Sequence, residues 1–235
     1  MEEAEAGTDA TTVDATREAV DDDEIRRRPP RKVARPGERK LQILQTLAAM
    51  LEHPKGERIT TAALAKQLDV SEAALYRHFA SKAQMFEGLI AFIEETVFGL
   101  INQITATEED GLQQARRIIL MLLHFAETNR GMTRVLIGDA LVVEDERLTA
   151  RMNQMMDRIE ASLRQCLKVA AAQAAAHRGA SSDAPSDPAA ADRHVAERAN
   201  LIVAAVIGRW SRFAKSGFRK LPKEYAETQA MLLLV

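Results

Sequence analysis

Residues 60–82 read TTAALAKQLDVSEAALYRHFASK. Two short helical patterns stand in this stretch, separated by Asp69-Val70-Ser71, and a third helix starts at its end. Leu64, Ala65, Leu68, Val70, Leu75 and Phe79 fall where two crossed helices meet. Thr60 or Thr61 suits the first N-cap, Ser71 the second and Ser81 the third, because a short side-chain oxygen there accepts from an otherwise unpaired helical N–H. Ala65 is small enough for the helix backbones to approach. Asp69 stands at the turn position and tolerates the left-handed region better than most residues. Val70 plugs the angle between the helices, and Leu75 and Phe79, four apart, anchor the second helix by its inner face. The length of the turn is that of a helix-turn-helix over residues 60–79, whose second helix enters the major groove of DNA.

The outer face of that second helix carries the candidate DNA-binding residues. Ser71, Glu72 and Ala73 form its N-terminus, where base edges are met, and Ala73 and Ala74 are small enough to let the helix sink into a groove. Tyr76, His78 and Lys82 are placed to reach the sugar-phosphate backbone, which sets register, while base contacts set sequence choice. Arg77 and Thr61 stand at the margins, and Thr60 completes the set. Little side chain is left for direct reading, so specificity leans on DNA shape.

The string Leu75-Tyr76-Arg77-His78-Phe79, followed by Ser81-Lys82, resembles the recognition-helix signature of the TetR family of bacterial regulators. The resemblance covers roughly Gly37 to Phe98, with Asp69 where glycine is common. It implies an all-α homodimer with an N-terminal three-helix DNA-binding domain (residues 37–97), a C-terminal helical dimerisation domain (residues 98–235) and a palindromic double-stranded DNA site. The last two long helices would form the dimer's four-helix bundle, with Leu201, Ala205, Trp210 and Phe213 as candidate interface residues. Trp210 can equally fill its own subunit's core.

Residues 57–95, Glu127 to Arg134 and Arg147 to Leu167 are more closely similar to the nucleoid occlusion branch of that family. Proteins of that branch bind chromosomal palindromes and then act on the tubulin-like division GTPase, preventing ring assembly over unsegregated DNA. The resemblance implies a partner surface around Phe92, Leu100, His124, Thr128 and Asn129, and a cytoplasmic, nucleoid-associated location. Leu100 and Thr128 stand where members often carry arginine. The common role in the wider family is the alternative: a ligand-responsive repressor, in which Met121, His124, Phe125, Met152 and Met155 would line a pocket. The same residues also read as ordinary core.

Composition sets limits on other chemistry. A hydrophobic share of 46% with only 4% aromatic fits a helical bundle built on Ala, Leu, Ile and Met. The single cysteine, Cys166, excludes an internal disulfide framework and suits a reducing compartment. No apolar run of transmembrane length and no signal peptide is read, so no membrane anchor is expected. The five histidines show no metal-ligand spacing, and there is neither a phosphate loop nor a nucleophile elbow. No metal, cofactor or enzymatic activity is expected.

Charge is segregated along the N-terminus. Residues 1–24 hold ten acidic residues and one basic, and residues 25–40 hold eight basic and one acidic. Residues 1–36 read as a disordered arm. Its basic part is placed to track phosphates or enter the minor groove, and its acidic part could fold back on the basic one.

Helical periodicity predicts elements over Glu38–His53 (Leu41, Leu44, Leu47, Ala48, Leu51), Lys82 to about Ile104, Glu108–Asn129, and Met132–Leu141 after an Asn-Arg-Gly stop. A long helix follows from Glu144 to about His177, with a possible coiled-coil seam over residues 144–171. A mobile loop is read at 179–188, a helix over Asp192–Lys215, and a last helix from Pro222.

Overall fold

The computed structural model describes residues 36–53, 59–141, 144–178 and 188–234. The acidic-then-basic arm, apart from Pro36, and the predicted loop at 179–188, apart from Pro188, lie outside them. The described residues form one compact unit. Among the described residues there are nine α-helices, one 3-10 turn and no strand. The helices are α1 (Pro36–Leu51), α2 (Thr61–Gln67), α3 (Glu72–Tyr76), α4 (Lys82–Thr107), α5 (Gly111–Thr128), α6 (Arg130–Leu136), α7 (Glu146–Arg178), α8 (Pro188–Lys215) and α9 (Ala226–Leu234), with the 3-10 turn at Asp139–Leu141.

Helices α1 to α3 and the start of α4 make a small head; the rest of α4 with α5 to α9 makes the body. On α1 the buried stripe is Ile43, Leu44, Leu47, Ala48 and Leu51, whereas Leu41, expected in it, is exposed. Helix α4 runs unbroken through the predicted boundary at 97/98 and serves both parts. It is the one described helix long and apolar enough to cross a membrane, but its stripe of Met85, Phe86, Leu89, Ile90, Ile93 and Val97 is buried in the protein core.

Several boundaries differ from the sequence pattern. Helices α5 and α7 start at Gly111 and Glu146, not Glu108 and Glu144. The helix expected to reach Leu141 ends at Leu136, because Gly138 takes φ 77° before the 3-10 turn. Three others have a local physical reason. Helix α6 starts at Arg130, without the expected stop, because Asn129 serves both as C-cap of α5 and N-cap of α6. Gly131 is buried inside α6, where a Cβ would lie 1.8 Å from the Ala48 carbonyl oxygen of α1. The glycine therefore permits close helix contact. Helix α8 begins at Pro188, before Asp192, using proline at a first-turn position that needs no N–H. The last helix begins at Ala226, because Pro222 is buried in the corner between α8 and α9.

The α7 stripe of Leu148, Met152, Met155, Ile159 and Leu163 is buried within the chain. Helix α7 packs on α5 and α8, so the expected seam is satisfied internally. The α5–α7 crossing is tight: a Cβ on Gly111 would stand 2.4 Å from the Cys166 carbonyl oxygen and the Ala170 nitrogen. Burial pushes the Cys166 thiol up to about 11, which leaves it a packing residue.

Trp210 and Phe213 correct the dimer-interface expectation. Both are essentially inaccessible within the single chain, and the Trp210 Nε1–H donates to the Leu122 carbonyl at 3.2 Å. Neither has surface left to offer a second copy. Leu201 is 56% exposed and Ala205 half-buried.

Candidate nucleic-acid interface

Local chemistry fixes the head. Thr60 Oγ1 accepts from Ala63 N at 3.1 Å, Ser71 Oγ from Ala74 N at 3.2 Å, and Ser81 Oγ from Gln84 N at 3.1 Å. All three expected caps thus satisfy N–H groups that the helices leave unpaired. Asp69 adopts φ 52°, the left-handed conformation that turns the chain between α2 and α3. Val70 N then donates back to the Ala65 carbonyl at 3.0 Å. Leu64, Ala65, Leu75 and Phe79 are buried, and Leu68 and Val70 pack half-buried against them.

This frame turns Ser71, Glu72, Ala73, Tyr76 and Arg77 into solvent, with Ala74 and His78 half-buried. Thr60 is exposed and Thr61 half-buried at the start of α2. The face is small-residued at the N-terminus of α3 and larger toward its end. Glu72 does not project freely: the Thr61 hydroxyl donates to its Oε2 at 2.6 Å, clamping α2 to α3. The Tyr76 hydroxyl lies 3.5 Å from Thr61 Oγ1, at the outer limit of a hydrogen bond.

Lys82 is brought to the same end of the molecule but is engaged. Its Nζ pairs with Glu144, just before α7, and lies 5.6 Å from the Phe86 ring centroid. Glu144 is only 10% exposed. The pair links the head to the body across 62 residues of sequence, and no local pattern announces it. Two further links were equally invisible. The Arg134 guanidinium donates to the carbonyls of Leu51 and His53 at 3.3 and 3.0 Å, closing the C-terminal end of α1. Arg151 pairs with Glu94 at 2.6 Å and donates to the Glu87 carbonyl at 3.3 Å.

The predicted partner residues are only partly gathered. Leu100, His124 and Thr128 are exposed, and Phe92 and Asn129 half-buried. Leu100 stands eight residues beyond Phe92 on α4, about 12 Å along the helix. The Asn129 side chain donates to the Phe125 carbonyl at 2.9 Å, a capping role. Of the residues expected to line a ligand pocket, Phe125, Met152 and Met155 are buried core, Met121 is half-buried and His124 is exposed. A groove of about 520 Å³ is lined by α1 and α2 residues such as Gln42, Met50 and Leu68, and another of about 200 Å³ by Arg209, Arg212, Lys220 and neighbours. None of the five lines either groove. No group of three metal-binding side chains occurs among the described residues.

Residues 48–89 match the family model "Bacterial regulatory proteins, tetR family", and residues 109–235 match the SlmA-like "Tetracyclin repressor-like, C-terminal domain". The fold is similar to the TetR-family regulator PfmR from Thermus thermophilus, with a TM-score of 0.62 at 19% identity, over 82% of this chain and 97% of that one. It is similar also to the fatty acid degradation regulator FadR from Bacillus halodurans, with a TM-score of 0.63 at 13% identity, over 86% and 97%. Helix-turn-helix head and helical body together define a DNA-binding regulator of the TetR class.

Sequence similarity narrows the class. The chain is 44% identical over 194 residues to the nucleoid occlusion factor SlmA of Idiomarina loihiensis, covering 81% of this chain and 91% of the relative. It is 48% identical over 185 residues to that of Vibrio cholerae, covering 78% and 88%. The chain belongs to the nucleoid occlusion factor SlmA family.

Proposed function

We propose that this chain is a homodimeric, site-specific DNA-binding protein of the cytoplasm and nucleoid. When bound to DNA it antagonises assembly of the tubulin-like division GTPase over the chromosome. The observation that carries the reading is the head. Three capped helix starts and the left-handed Asp69 present Ser71, Ala73, Tyr76 and Arg77 outward, in a chain of the SlmA family. Ser71 to Ala74 meet the groove; Tyr76, His78 and Lys82 meet phosphates; Arg77, Thr60 and Thr61 act at the margins. The division partner docks around Phe92, Leu100, His124, Thr128 and Asn129, of which Leu100, His124 and Thr128 are exposed.

The test uses an operator selected from a random DNA pool. Purified protein plus that operator speeds disassembly of the GTPase polymer, and protein without DNA does so less. No effect at saturating operator would remove the division role and leave a repressor.

The free chain holds Lys82 on Glu144, so phosphate must compete for the ammonium. Glu144→Gln is expected to tighten binding to all DNA sequences by about fivefold at low salt, equivalent to ~1 kcal/mol. The gain should fade as salt rises. Asp145→Asn, an exposed neighbour, controls for the charge change. Equal titration curves for wild type and Glu144→Gln would mean that Lys82 is not restrained.

The dimer surface is proposed on the outer face of α8 and α9. Leu201, Met231 and Leu232 are exposed there, and Gly208 has nothing within 4 Å of where a Cβ would stand. Ala204 is exposed between Leu201 and Gly208. Small and apolar side chains at helical spacing suit close packing against a second copy. Leu201→Glu combined with Gly208→Glu should convert dimer to monomer in sedimentation without changing helical content. A persistent dimer would place the interface elsewhere.

A further inference from the structure

Residues 209–223 read RWSRFAKSGFRKLPK, with six basic side chains and no acidic one, in a chain of net formal charge −2. They form the end of α8 and the corner leading to α9. Arg209 is turned inward: its Nε donates to the Pro222 carbonyl at 2.7 Å, and its Nη atoms meet the Glu224 carbonyl and Gln229. Burial, and secondarily the charge of Arg212, holds its pKa below the usual arginine range. Arg209 is thus the pin of the corner. The other five, Arg212, Lys215, Arg219, Lys220 and Lys223, are exposed.

The backbone that carries those cations is held in place. Gly217 and Phe218 take positive φ, and Phe218 N donates to the Phe213 carbonyl at 2.9 Å, closing α8. Ser216 Oγ accepts from the backbone N–H groups of Arg219 and Lys220 at 3.0 and 2.9 Å. The rings of Phe213 and Phe218 meet edge to face at 5.0 Å. Among the described residues Arg212, Lys215 and Lys220 form no ion pair; Arg219 Nε donates to the Ser216 carbonyl, and Lys223 lies 3.3 Å from His124 Nδ1. A cluster of unneutralised like charges on a held backbone raises the local potential and favours an anionic partner.

Two observations choose the partner. First, the Arg130 guanidinium stands 5.8 Å from the Phe218 ring centroid, and the next residue, Gly131, touches Ala48 of α1. The corner therefore lies at the end of the body that carries the head. Second, the cations are spread over an open surface. The adjoining groove of about 200 Å³ includes Glu224 in its wall, which disfavours a small anion. An extended polyanion fits, and the head already proposed to hold DNA lies at this end.

We propose that the α8–α9 corner is a second, sequence-neutral phosphate-binding surface. It engages the backbone of the same DNA whose groove receives α3. The idea rests on the DNA-binding reading above, and its test separates the two. In the full-length chain, R212Q/K215Q/K220Q is compared with wild type on operator and on random DNA across a salt series. The variant should weaken both DNAs by the same factor, and the slope of log affinity against log salt should fall by about two to three per protomer. An unchanged slope overturns the proposal. A wild type that does not prefer operator over random DNA would instead count against site-specific reading, while the salt slope on random DNA would still test the corner.

A second measurement needs no variant. Acylation of Lys215 and Lys220 in the wild type, read by mass spectrometry, should drop on saturation with DNA. Full reactivity on DNA overturns the proposal. So does protection by an oligoglutamate probe without protection by DNA, which would make the corner a docking face for an acidic protein.

Discussion

Gly131→Ala is expected to destabilise the chain by about 3 kcal/mol, lowering Tm by ~6–12 °C. The added methyl carbon would stand 1.8 Å from the Ala48 carbonyl oxygen and 2.8 Å from its carbon, both backbone atoms of a packed helix. No side-chain rotation relieves that overlap, so α6 and α1 must part. Their separation would also strain the Arg134 bonds to the Leu51 and His53 carbonyls, which bind the same two helices. Gly99→Ala supplies the control of opposite sign. Gly99 is exposed in the middle of α4 with nothing within 4 Å of the added carbon, so alanine should stabilise by about 0.5–1 kcal/mol. Thermal and urea unfolding of the two variants beside wild type checks both. Equal stability of Gly131→Ala and wild type would show that the head is not packed on α6 as described.

The same glycine shows where sequence ceases to be legible. Glycine ends helices and also lets helices touch, and one sequence does not say which; only the position of Ala48 decides. The head was readable because its determinants are local. Thr60, Ser71 and Ser81 each cap a group three residues away, and Asp69 sets its own φ. Trp210 was ambiguous for another reason. An apolar residue at helical spacing looks the same whether its cover comes from α5 or from a second copy, and the bond to the Leu122 carbonyl settles the choice. Leu41 and Ile43 show the same limit at finer scale, since a small rotation of α1 exchanges which of them faces inward. Lys82 was legible as a cation near the groove, but its pairing with Glu144 was not, because the partner stands in a different layer of the fold. The basic corner after α8 is plain in the sequence as charge, but its closeness to the head follows only from Phe218, Arg130 and α1 meeting in space.

Ala73→Glu should reduce operator affinity by about 100-fold or more, since placing like charges in contact costs several kcal/mol. Ala73 is exposed in the first turn of α3 with Glu72 before it and half-buried Ala74 after it. A glutamate there is no threat to the fold. An acid near a helix N-terminus is favoured by the helix dipole by about 0.3–1 kcal/mol, and Ala73 is exposed, so the melting temperature should hold or rise slightly. The whole loss then falls on the complex, where the carboxylate would meet base edges and phosphates at close range. Ala73→Gln separates shape from charge: it should lose less than the glutamate variant, and its loss should not depend on salt. Ala62→Glu, exposed on α2, introduces the same charge away from the reading edge and should weaken operator and random DNA alike. Lys82→Ala should behave like the second control, reducing all binding and lowering the salt slope by about one. If Ala73→Glu binds the operator as wild type does, α3 does not face the groove. If it fails on the operator yet still speeds disassembly of the division polymer in the presence of operator DNA, then site-specific DNA binding is not what licenses the partner interaction.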